Sequence, residues 1–249
     1  MFSLGHFIWL GIFAVLITAL LLFIKKRGVS GRCVQKSVFY VIVALKLFHL
    51  SLSMRQSPDA GMVIDQTQLA FHLCSLMVYA IIISNFIKNE RILAKLKSFM
   101  VPCMMIGAAM ALLIPTEGVD PAKLRVWQYM LIHAVLVFYG IYLMVIEKVD
   151  LSFRAYTNNL KLLMCVVVAA FLMNSVLMEY ETNFLFLRKP PMDGLPILNL
   201  DNGWFVYFLT LAAIACLLLF LVHLPFILRG AKSCRGAEKN TFGGSRDAE

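Results

Sequence analysis

Long apolar runs separated by short polar stretches dominate the chain. Seven of them, residues 4–24, 34–54, 67–87, 98–116, 127–147, 160–180 and 204–228, are long enough to cross a bilayer. A hydrocarbon core of about 30 Å takes about 20 consecutive apolar residues in helical form. In lipid every backbone N–H and C=O needs an internal partner, so only helices and closed barrels span it. Continuous runs, rather than ten-residue segments of alternating hydropathy, predict helices. The expected fold is therefore all-α: a polytopic membrane bundle of seven transmembrane helices over residues 1–228. A polar tail, 229–249, is expected to be disordered.

Composition agrees with this. Of 249 residues, 61% are hydrophobic and only 15% charged, far from the balance of a soluble domain. The net charge of +9 would suggest nucleic acid if it were spread evenly. It is not. Lys25, Lys26, Arg27, Arg32 and Lys36 follow the first run. Lys88, Arg91, Lys95 and Lys97 follow the third, and Lys148, Arg154 and Lys161 follow the fifth. Arg229, Lys232, Arg235, Lys239 and Arg246 fill the tail. The other face holds only Arg55, Lys123, Arg125, Arg188 and Lys189. Positive charge stays on the cytosolic side, so the N-terminus is expected outside and the C-terminus in the cytosol. The first run lacks a positive leader and is followed by charge, as an anchor is and a cleaved signal is not.

Polar groups inside the runs bear on chemistry. His49 lies in the outer half of the second run and His72 with Cys74 near the outer end of the third, about two turns in. Gln128, Tyr129 and His133 lie in the outer turns of the fifth, and Asn174 with Ser175 in the outer half of the sixth. Several helices thus bring polar side chains to one depth, as the lining of a buried or wet chamber would. His72 and Cys74 are two apart and point to different faces, so a base for Cys74 must come from another helix. His133 matches in depth, with His49 in reserve, and Tyr129 stands one turn before His133 to orient its ring. Tyr129, Asn174 and His49 are candidates for holding an oxyanion. Lys46 lies mid-run, too deep to snorkel easily, and with Asn183 and Arg188 is a candidate for lipid headgroup binding.

Cys103, Cys165 and Cys216 read as apolar fillers, His223 as structural and His6 as interfacial. The six cysteines show no CxxC spacing, so no metal site and no cofactor is expected. All fourteen acids fall in loops, tail or run ends, which argues against an ion channel or proton pump.

The segments LAFHLC (69–74), WQYMLIH (127–133), NFLFLRKPP (183–191) and LDNGWFVYF (200–208) resemble, in order and spacing, the YwaF family of bacterial integral membrane proteins. Two positions depart from its pattern: Ala70, where a proline is expected, and Gly203-Trp204-Phe205-Val206, where Gly-Pro-Trp-Pro is. The family is related to a eukaryotic cysteine-dependent acyltransferase of ether phospholipids. The resemblance implies a multi-pass protein of the bacterial cell membrane. It implies a cysteine that carries an acyl group and a histidine that assists, at motif positions Cys74 and His133. Phospholipids and lysophospholipids are the implied partners. The alternatives are a lipid ester hydrolase with the same site and a non-catalytic lipid-binding or transport protein.

Overall fold

Lipid-facing helices need no hydrophobic face of their own, so packing rests on close backbone approach and on hydrogen bonds at the helix ends. The computed structural model describes residues 3–57, 61–64, 72–115, 118–191, 195 and 197–243, with 53–57, 61–64 and 230–243 as backbone only. The helices are α1 (Leu4–Arg27), α2 (Gly31–Ser53), α3 (Leu73–Ser84), α4 (Glu90–Leu113), α5 (Leu124–Val145), α6 (Phe153–Val176) and α7 (Trp204–Gly243). Two 3-10 turns, Met178–Tyr180 and Phe184–Phe186, lie between α6 and α7. An antiparallel hairpin, β1 (Met54–Ser57) with β2 (Gly61–Ile64), follows α2 and pairs Met54 with Ile64. Hydropathy alone does not foresee this hairpin.

Among the described residues six helices are long and apolar enough to cross a membrane. The third expected span differs. Instead of residues 67–87, α3 has 12 residues, about 18 Å at the rise of an α-helix and short of a full bilayer. The expected start of that span, 67–71, lies outside the described residues. Cys74 therefore stands in the first turn of α3 rather than two turns in.

Other boundaries moved because caps, not hydropathy, decide where a helix starts. The Asn89 side chain accepts from the amides of Arg91 and Ile92, so α4 begins at Glu90. Ser152 accepts from Ala155, so α6 begins at Phe153. The backbone of α7 continues past the expected end at 228 as far as Gly243, where the sequence expectation placed a disordered tail.

The bundle is centred on α4 and α5. Some 56% and 67% of their apolar windows are buried, against 11–17% for α1, α2, α6 and α7. Gly140 allows the two to close in: a β-carbon there would lie 3.2 Å from Met105 Sδ and 3.4 Å from Met104 Cβ.

Hydrogen bonds fix the ends. At the basic end, Gln35 Nε2 donates to Ser84 O (3.1 Å), which sets the last residue of α3 against the start of α2. Lys97 pairs with Glu147, and Ser98 Oγ donates to Asp150 O (2.6 Å). Pro102, inside α4, has no N–H to offer the Ser98 carbonyl one turn back. Asn159 Nδ2 on α6 supplies the missing donor at 3.0 Å. At the opposite end, Tyr129 Oη donates to Ala111 O (3.1 Å) and His6 Nε2 to Leu112 O (2.8 Å). His6, in the first turn of α1, is fully buried.

Candidate active site

Cys74 is the second residue of α3, whose N-cap His72 is extended (φ −77°, ψ 146°) with no side-chain cap. The ladder of α3 opens with Leu76 N donating to His72 O at 2.9 Å, so the amides of Leu73, Cys74 and Ser75 precede it. The thiol does not face lipid. Its sulfur lies against α4, 3.2 Å from where a β-carbon on Gly107 would stand, with Leu73 in the same contact. A side chain there would press the thiol aside by a few tenths of an ångström. Cys103 stands one turn further along α4 on the same face and is buried.

His133 stands on α5, and among the described residues no hydrogen bond joins it to Cys74. Tyr129 Oη bonds Ala111 O. Stepping one turn from Tyr129 along α5 arrives at His133, and one turn back from Ala111 along α4 arrives at Gly107. The imidazole is buried, with 8% of its surface exposed. Its Nδ1 bonds the Tyr129 carbonyl at 2.7 Å. A carbonyl only accepts, so Nδ1 carries the proton and Nε2 keeps its lone pair. Among the described residues no hydrogen bond uses that Nε2. The Tyr129 ring lies 4.3 Å from the imidazole, centroid to centroid, so Tyr129 orients His133 with both its carbonyl and its ring.

His223 makes an instructive contrast. It has the same bond from Nδ1 to a carbonyl one turn back, Leu219 O at 2.8 Å. Its Nε2, however, accepts from Asn159 Nδ2 at 3.1 Å. That ring is fully used at the basic end, as a structural histidine should be.

The remaining candidates divide. His49 Nδ1 meets Gln128 Oε1 at 3.2 Å, tying α2 to α5 at the histidine end. Lys46 is half-buried, its ammonium 5.7 Å from the centroid of the Tyr79 ring. Tyr129 spends its hydroxyl on Ala111. Asn174 does not face the thiol at all. Its Nδ2 donates to Phe184 O (3.1 Å) and its Oδ1 accepts from Phe184 N (2.8 Å), a two-bond clamp on the loop after α6. Asn183 is likewise an organiser of its own turn. It donates to Lys189 O (2.8 Å) and accepts from Arg188 N (3.0 Å) and Lys189 N (3.3 Å). Arg188 bonds Thr182 O through Nη1 at 3.3 Å. Together with Glu181 and Thr182, these residues line an open cleft of about 220 Å³.

Three participants escaped the sequence reading. Gly107 carries no chemistry and announces itself only by what touches it. The first-turn amides of α3 are invisible until the helix start is known. The aromatic pair Phe184 and Phe186 meets His72, at 5.6 and 5.5 Å between ring centroids. The signal for this last contact was present in the NFLFLRKPP segment, but nothing in it names the partner.

A helix bundle with six membrane-length apolar helices, and with polar side chains gathered toward one end, is a multi-pass membrane protein. The model of the TMEM164 family matches residues 1–223, nearly the whole chain, and the protein belongs to that family. No curated protein and no solved structure matches it.

Proposed function

We propose that this TMEM164-family protein is an intramembrane acyltransferase. It moves a fatty acyl group between phospholipids through a thioester on Cys74, with His133 as the base. The observation that carries the proposal is the pair of environments. A thiol in the first turn of a helix lies against a glycine, and a buried imidazole on α5 has its accepting nitrogen uncommitted among the described residues. The resemblance to the cysteine-dependent ether-phospholipid acyltransferase, through the YwaF-like motifs, supports the same assignment. The basic end is taken as cytosolic, so the site opens toward the outer leaflet.

The chemistry then runs in two balanced halves. The Cys74 thiol gives its proton to His133 Nε2, and the thiolate attacks the ester carbonyl carbon of a donor phospholipid. The tetrahedral oxyanion collapses, the C–O bond to glycerol breaks, and the leaving alkoxide takes the proton back from His133. A lysophospholipid now replaces the departed one. Its hydroxyl gives its proton to His133 and attacks the thioester. The C–S bond breaks and the thiolate is reprotonated.

For the oxyanion we assign the first-turn amides of α3. Helix N-terminal N–H groups favour both a thiolate and a developing oxyanion. Tyr129 and Asn174 have their donors engaged elsewhere. Phosphate of the lipid headgroup is assigned to Arg188 and Lys189 at the cleft beyond the site. Lys46 and His49 line the α2 side.

Intact mass of the protein purified with phospholipids tests the reading. An acyl adduct that maps to Cys74, is absent in Cys74→Ser and transfers to added lysophospholipid is expected. Release of free fatty acid without transfer would make the protein a hydrolase. Undiminished lipid turnover in Cys74→Ser would remove the cysteine from the chemistry.

A further inference from the structure

His72 is two residues from the thiol, yet its ring turns away from α3. As N-cap it makes no capping hydrogen bond, and it lies edge-on to Phe184 and tilted against Phe186. The platform it meets is held at three points. Asn174 on α6 clamps Phe184 through both its amide N–H and its carbonyl. Tyr207 on α7 donates to Phe186 O, and Trp204 Nε1 donates to Leu187 O at 2.8 Å. Within this segment Leu185 and Phe186 are left-handed, φ 54° and 57°, and neither is a glycine. Strain of this kind persists only where the surroundings over-determine the backbone, and it gathers at functional sites. Phe184 is fully buried, so the platform is an integral part of the bundle rather than a surface loop.

We infer that His72 is a positioning residue that acts through its ring and not through its nitrogens. Seated on Phe184 and Phe186, it fixes the N-terminus of α3 and with it the Cys74 sulfur. The inference rests on the acyl-transfer reading above and adds to it a structural reason for the first residue of the HLC segment. Among the described residues α3 is the shortest α-helix, and its near end has no side-chain cap. The aromatic seat supplies the constraint that a cap would otherwise give. The chain of contact runs from Asn174 and Tyr207 through Phe184 and Phe186 to His72 and then to Cys74. It thus links α6 and α7 to the reacting thiol.

The test compares three replacements of His72 and one of its partner, in single-turnover acylation of Cys74 and in steady-state transfer. His72→Phe keeps a ring and loses both nitrogens; acylation within about threefold of wild type is expected. His72→Gln keeps polarity and loses the ring, and His72→Ala loses both. Each should lower kcat by about 10- to 100-fold, the scale on which a misplaced nucleophile is felt, with KM for the donor lipid little changed. Phe186→Leu, which leaves His72 intact, should fall with them, and Phe186→Leu combined with His72→Gln should fall no further.

If His72→Phe is as slow as His72→Ala, the imidazole is doing proton chemistry and the inference is overturned. It is equally overturned if His72→Gln and Phe186→Leu both turn over at the wild-type rate. Thermal unfolding of each variant identifies misfolding, and Phe186→Leu keeps the question open to measurement should His72→Ala fail to fold. A wild-type protein without an acyl adduct would instead overturn the acyl-transfer reading itself, a separate result from the order of the His72 series.

Discussion

A β-carbon on Gly107 would lie 3.2 Å from the sulfur of Cys74, closer than such contacts ordinarily come. The same atom would lie 3.4 Å from Leu73 Cδ2. Thiol and glycine thus define each other's place across the α3–α4 interface. Close approach of small residues is how membrane helices pack, but here the residue opposite the glycine is the proposed nucleophile.

Gly107→Ala should therefore separate stability from activity. Replacing a mid-helix glycine by alanine gains about 1 kcal/mol of helix propensity. That gain offsets much of the cost of displacing a thiol that has to give by only a few tenths of an ångström. The unfolding transition is expected to move little. Acylation of Cys74 is expected to fall about tenfold or more, because the sulfur leaves its place relative to His133. Scanning calorimetry in lipid nanodiscs beside a single-turnover assay reads both quantities. Full acylation in Gly107→Ala would mean that the sulfur reacts from a different position.

His133 and His223 carry the same bond from Nδ1 to a carbonyl one turn back and differ only at Nε2. His133→Ala is expected to slow thioester formation by about 10²–10⁴, the usual contribution of a positioned base. Its effect on unfolding should be small. His223→Ala leaves one Asn159 N–H without its partner at the basic end. A buried donor left unsatisfied costs about 1–3 kcal/mol, so this variant should unfold earlier and acylate normally once folded. The opposite pattern in the two variants would exchange their roles.

Asn174 was a sequence candidate for an oxyanion donor, and the clamp it makes on Phe184 predicts a different phenotype. Asn174→Ala strands the buried N–H of Phe184, while the Phe184 carbonyl keeps the Leu187 N–H. A loss of about 1–3 kcal/mol follows. Acylation should fall as well, because the seat of His72 is loosened. An oxyanion donor would behave otherwise: kcat would drop by about 10²–10³ with the unfolding transition unmoved. Measuring both on the same preparation decides between the clamp and the hole.

What the sequence made legible follows from what lipid demands. Apolar runs must be continuous across a bilayer, so the positions of α1, α2, α4, α5, α6 and α7 could be read from hydropathy. The ends could not, because Asn89 and Ser152 act through single side-chain oxygens that a hydropathy window averages away. The start of α3 was the costliest miss. Residues 69–74 are as apolar as a helix interior, yet the described helix starts at Leu73, and the chemical environment of Cys74 turns on that difference. Depth, a count of residues, sets His133, Tyr129 and His49 toward one end of the bundle, where Tyr129 bonds Ala111 and His49 meets Gln128. Facing is not a count. Asn174 has the right depth and is turned to Phe184, ten residues on, through a turn whose left-handed residue is Glu181 rather than glycine or asparagine. The β1–β2 hairpin did leave a trace, the turn-forming Ser-Pro-Asp-Ala-Gly at 57–61.

Orientation in the membrane is the last expectation, and one thiol tests it. Cys33 lies in the first turn of α2, is exposed, and is flanked by Arg32 and Lys36. The Gln35–Ser84 bond places the end of α3 against this same turn, so Cys74, at the other end of α3, lies toward the opposite face of the bundle. The leaflet of Cys33 therefore fixes the leaflet of the proposed active site. The expectation from positive charge is that Cys33 is cytosolic and the proposed site at Cys74 faces the outer leaflet. A membrane-impermeant maleimide should leave Cys33 unlabelled in intact cells and label it after permeabilisation, as read by peptide mass with Cys33→Ser as control. Labelling of Cys33 in intact cells would invert the protein and hand the acyl chemistry to cytosolic-leaflet phospholipids.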